Sequence, residues 1–94
     1  MPRTIWKFPL DVIDEQDIVL PVDSEILCVQ NQKAIPYLWV ELDPEAPNGR
    51  LRHRITIEGT GHWVAEDAGS YVGTFQVRNG DLVFHVYDRI VGQA

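Results

Sequence analysis

Tyr71-Val72-Gly73-Thr74-Phe75-Gln76-Val77-Arg78-Asn79-Gly80-Asp81-Leu82-Val83-Phe84-His85-Val86-Tyr87 reads as two apolar–polar alternating runs around one Asn-Gly pair. Alternation at period two marks a strand with one buried face, and Asn-Gly supplies two residues that tolerate φ above zero. A type I′ turn at Asn79-Gly80 sets Arg78 opposite Asp81, Val77 opposite Leu82 and Gln76 opposite Val83. Phe75 then faces Phe84, Thr74 faces His85, and Gly73 faces Val86. One side of the hairpin carries Val77, Leu82, Phe75, Phe84 and Val86; the other carries Gln76, Val83, Thr74, His85, Val72 and Tyr87. A slip of one residue would turn every one of them over, so the apolar side fixes the register.

The same period extends outward from the hairpin. Trp6, Phe8 and Leu10 alternate with polar or neutral positions, as do Ile18, Leu20 and Val22, where Pro21 suits an edge or a strand end. Residues 26–31 form a short strand. Residues 35–43 place Leu38, Val40 and Leu42 against Tyr37, Trp39 and Glu41, and residues 51–58 place Leu51, His53, Ile55 and Ile57 against Arg52, Arg54, Thr56 and Glu58. Tight turns fall at Asp23-Ser24 and Gln32-Lys33-Ala34, and longer loops at 43–49 and 59–70. Between Gly61 and Gly69 there is room for one helical turn at most. The fold expected is all-β: a small antiparallel β-sandwich or partly open barrel of about seven strands with little or no helix. Trp6, Phe8, Leu38, Val40, Ile55 and Ile57 are the expected main core. The 94 residues make one domain, 1–94, with 89–94 either a loose tail or docked on a neighbour.

Charge and cysteine content narrow the partners. A net charge of -6 argues against a duplex nucleic acid or an acidic membrane surface, both of which require accumulated positive charge. Cys28 is the only cysteine, so neither an intrachain disulfide nor a cysteine-rich metal site is available, and no signal-peptide core follows Met1-Pro2-Arg3. A cytoplasmic protein without metal or cofactor is expected.

Two surfaces attract attention. The second faces of the strands are too apolar for a domain this small, which singles out Tyr37, Trp39, Val72, Val83 and Tyr87 as an interface. Either loop 59–70 covers them or a second copy of the chain does. The dense basic run at Arg52 and Arg54, followed by Thr60, Gly61, His62 and Trp63, has the forks, backbone donors and stacking surface to hold a small anion such as a nucleotide. The competing reading pairs both arginines with Glu41, Asp43 or Glu58. Histidines 53, 62 and 85 have no partner at metal spacing, and Thr60 and Ser70 beside His62 do not by themselves make a triad, so binding is favoured over catalysis.

The segments Thr4-Ile5-Trp6-Lys7-Phe8, Ile26-Leu27-Cys28-Val29-Gln30, Leu38-Trp39, Asp43-Pro44, Gly59-Thr60-Gly61-His62 and Tyr71-Val72-Gly73-Thr74-Phe75-Gln76 together resemble a family of small uncharacterised proteins encoded in bacterial and phage genomes. The resemblance implies a cytoplasmic accessory or phage-related role and assigns no residue a function. The reading that results is an accessory protein acting by protein–protein interaction or assembly, its partner itself or a host protein. Binding of a small anionic ligand is the alternative, and a small hydrolase-like enzyme the second.

Overall fold

The structure is a computed structural model that describes residues 2–94. Seven strands follow one another: β1 (Thr4–Pro9), β2 (Glu15–Pro21), β3 (Glu25–Gln32), β4 (Ile35–Leu42), β5 (Arg50–Gly59), β6 (Ser70–Val77) and β7 (Leu82–Gln93). They form two antiparallel sheets, one ordered β1-β4-β3 and the other β2-β5-β7-β6. Leu20, Leu38, Val40, Leu42, Ile55 and Val86 are fully buried between them, with Leu10, Val29, Ile57 and Phe75 completing the core. This is an open β-sandwich. No helix among the described residues is long and apolar enough to cross a membrane.

The sheets approach closely along one side, where β3 lies against β6. Gly73 makes this possible, since a Cβ there would sit 2.9 Å from Val29 Cγ1. Asn31 Nδ2 reaches across to donate to the Gln76 carbonyl at 2.6 Å. On the other side β1 and β2 are free edges. The Leu10 N–H donates to the Pro36 carbonyl, which directs the even residues of β1 toward β4 and leaves Ile5, Lys7 and Pro9 facing outward. Bonds from Ile57 to Asp14 and from Val22 to Gly49 do the same for β2, leaving Glu15, Asp17, Val19 and Pro21 on its open side. Both open edges thus end on a proline, which has no N–H to offer another strand.

The terminal hairpin has the register read from its alternation, from Gly73↔Val86 to Val77↔Leu82, with Phe75 and Phe84 stacked at 5.5 Å. Asn79 (φ 55°) and Gly80 (φ 93°) take the left-handed conformations that the Asn-Gly pair requires, and the Asp81 N–H donates to the Arg78 carbonyl. Arg78 is left-handed as well (φ 54°), so the ladder stops at Val77↔Leu82 and residues 78–81 form the loop. The β3–β4 turn is a two-residue one, with Lys33 and Ala34 at φ 50° and 68°.

Two expectations need correction, and one open alternative is decided. Residues 89–94 are not loose: β7 runs on to Gln93 beside Leu51, and the Ala94 N–H bonds to the Arg50 carbonyl. Trp6 points to the core side opposite Val40 but remains 48% exposed, because β1 is an edge strand with nothing beyond it. Phe8 is only partly buried for the same reason. Val72 sits at a bulge between Tyr71 and Gly73 and packs against the core instead of lying on the outer face.

Candidate functional site

The outer face of the four-stranded sheet is polar and partly covered. Register places Arg54, Thr56 and Glu58 of β5 beside Arg89, Tyr87 and His85 of β7. The 59–70 loop folds back over these residues: Ala68 is buried, Thr56 is buried beneath the loop, and Arg89 Nη1 donates to Asp67 at 3.2 Å. Gly69 locks the return. It has φ +99°, and a Cβ would stand 2.1 Å from the Asp88 carbonyl oxygen.

At the hairpin end of this face a hydrogen-bonded chain joins four side chains. His85 has its Nδ1 at 2.9 Å from Thr74 Oγ1 and its Nε2 at 2.8 Å from Thr60 Oγ1. Tyr71 Oη bonds Thr74 Oγ1 in turn, while Thr60 Oγ1 also reaches the Val83 carbonyl at 3.3 Å. Thr74 and His85 meet because they are cross-strand partners, and Thr60 arrives because its backbone N–H continues β5 onto the Val83 carbonyl. The hairpin reading set Thr74 opposite His85. That His85 also meets Thr60, 25 residues away in the chain, was not legible.

The basic run is engaged elsewhere. Arg54 forks onto Asp17 at 2.9 and 3.2 Å, its cross-strand neighbour on β2, and Arg52 stands 3.9 Å from the same carboxylate. The Arg54 hydrogen bond holds the Asp17 carboxyl below its ordinary value, and the Asp17 bond raises Arg54. Glu41, one of the acids expected to face the arginines, takes Arg3 instead at 2.9 Å. Thr60 and His62 line a cleft of about 410 Å³ with Gly59, Leu82, Val83 and Phe84, and His62 also lines a second with Thr56, Glu58, Asp67 and Arg89; neither contains Arg52 or Arg54. Gly61 makes the tight turn at φ +91°, and Trp63 is 95% exposed beyond it. The six residues named for an anion therefore occupy two separate places.

The outer face of the three-stranded sheet is different in kind. Tyr37 and Trp39 lie 6.3 Å apart along β4. Lys7 of β1 crosses them, its Nζ 4.6 Å from the Tyr37 ring centroid and 5.9 Å from that of Trp39, and is tethered to Gln32. Ile5 and Ile35, 54% and 45% exposed, extend the strip at its two ends, and Cys28 stands opposite Trp39. Trp39 Nε1 is buried and has no hydrogen-bond acceptor among the described residues. Val83 and Tyr87, expected to join this patch, lie on the other sheet's outer face, so the five interface candidates are not one surface.

A third feature belongs to the interior. His53 is buried, with Nδ1 2.8 Å from Asp88 Oδ1. The histidine's place on the apolar side of β5 was readable; its partner, on β7, was not. Among the described residues no cluster of His, Cys, Asp and Glu could hold a metal ion.

A small open β-sandwich with one polar, looped-over face and one bare aromatic face is an architecture typical of binding modules. The chain belongs to a family defined as a domain of unknown function, DUF7352, whose model spans residues 1–94. No curated protein and no solved structure matches it.

Proposed function

We propose that the protein works by contact with other proteins, and that the outer face of the three-stranded sheet docks on the same face of a second copy. The observation that carries this reading is the strip of half-buried Trp39 and Tyr37 between exposed Ile5 and Ile35, with the Lys7 side chain laid over the rings. Its one peripheral ion pair, Arg3–Glu41, is internally neutralised, so the strip avoids much of the chain's acidity. Three strands of six, eight and eight residues cover about 350 Å² at ordinary strand spacings. Two such faces give about 700 Å², below the roughly 1,200 Å² at which stable interfaces begin. The association is therefore weak and reversible, suited to assembly at high local concentration. Following the resemblance above, we place this role in a cytoplasmic accessory protein of bacterial or phage origin.

Sedimentation across a micromolar to millimolar range tests it. Wild type shifts from monomer toward dimer with rising concentration, and Trp39→Glu stays monomeric because the contact loses the indole and would have to desolvate a carboxylate beside Lys7. Monomeric wild type throughout, or association that Trp39→Glu leaves unchanged, removes the reading.

A further inference from the structure

The chain Tyr71–Thr74–His85–Thr60 has the arrangement of an activated hydroxyl: a nucleophile, a base within hydrogen-bond reach, and a third group that orients the base. We propose that Thr60 is an acyl acceptor, with His85 as its general base, and that the site hydrolyses esters of small apolar acyl groups.

The geometry sets the roles. With its proton on Nδ1, His85 donates to Thr74 Oγ1 at 2.9 Å, and the Thr74 hydroxyl donates onward to Tyr71 Oη. In that tautomer Nε2, 2.8 Å from Thr60 Oγ1, takes the hydroxyl proton in preference to the more distant Val83 carbonyl at 3.3 Å. Thr74 is a positioning residue, since its hydroxyl holds the Nδ1 edge of the ring without touching substrate. Thr60 opens onto the cleft of about 410 Å³ walled by Leu82, Val83 and Phe84, with His62 and Asp81 as its other polar side chains, and the apolar wall suits a small uncharged acyl group.

The reaction balances without any co-reactant but water. Thr60 Oγ forms a bond to the ester carbonyl carbon while its proton passes to His85 Nε2. The bond to the leaving oxygen breaks, and the alcohol departs with that proton. Water then attacks the acyl-Thr60 ester, His85 again carrying the proton, and releases the carboxylic acid with Thr60 restored.

The test uses the full chain and p-nitrophenyl acetate, read by nitrophenol release and by mass mapping of the acetylated peptide. Acetylation is expected on the peptide containing Thr60. Thr60→Val and His85→Phe each lower the rate about 100-fold, the scale of a general base, while Thr60→Ser retains it. Thr74→Val lowers kcat with KM unchanged. Should His85→Phe fail to fold, the exposed Thr60→Val carries the comparison alone. No acetylation, acetylation confined to lysine or tyrosine, or a rate indifferent to Thr60→Val overturns the proposal. Because Thr60 and Trp39 lie on different sheets, failure here is separable from failure of the docking face.

Discussion

The two sheets of this sandwich solve the same problem in opposite ways. Each has an inner face that makes the core and an outer face that must meet something. On the four-stranded sheet the chain itself supplies the cover: loop 59–70 returns over Thr56 and Arg89, and the remaining polar groups bond one another through His85 and Asp17. On the three-stranded sheet nothing comparable follows. Ile5 and Ile35 are exposed and Tyr37 and Trp39 half-buried between them, with a single lysine laid over the rings. The lesson is that apolar alternation on both sides of a strand has two meanings, and the position of one long loop separates them. Where the loop lands, the outward residues are packed within the monomer; where none lands, they form the outer face of the sheet.

The strongest way to break the contrast is to unseat the cover. Gly69→Ala places a methyl group on the Asp88 carbonyl at a left-handed φ, and we expect a loss of about 3 kcal/mol or more in urea unfolding. On the bare face the monomer has less at stake. Trp39→Glu should cost about 1–2 kcal/mol, the worth of an aromatic pair and a strand preference, so its main effect appears in association. Thr74→Val removes one link of the His85 chain at a solvent-exposed site, and about 1 kcal/mol is expected by the same unfolding measurement.

The smallest effect concerns acid. The Arg54 hydrogen bond depresses Asp17 below its ordinary 3.8, so this pair stabilises the fold above that pH. Its contribution is lost as pH falls from there through the lower folded value, because the unfolded chain takes up the proton first. Asp17→Asn should lower stability slightly at neutral pH and flatten the acid limb below pH 3.8, so that the two proteins converge in acid. An unchanged acid limb would mean that the pair is too well solvated to matter.

Local sequence carried the parts of this account that depend on neighbours in the chain. Asn79-Gly80 and its flanking alternation fixed every pair from Gly73↔Val86 to Val77↔Leu82, and Leu38, Val40, Ile55 and Ile57 were legible as core. What failed depended on which strands sit beside which. Trp6 alternates like a core residue but lies at an edge, and Val72 alternates like a surface residue but is turned inward by a bulge. Tyr37 and Tyr87 look alike in pattern and belong to different sheets. Arg54 found Asp17 instead of Glu41, Asp43 or Glu58 because β2, not β4, is its neighbour. Period two tells a residue's side of its own strand; it does not tell which strand lies next to it.

The docking face contains its own reporter. Cys28 is the single cysteine and stands opposite Trp39 on the outer side of the three-stranded sheet. Its alkylation rate, measured as protein concentration is raised, tests the central claim most directly. We expect the rate per molecule to fall with concentration in wild type and to stay constant in Trp39→Glu. A wild-type rate independent of concentration, in a range where sedimentation shows dimer, would put the contact on another face.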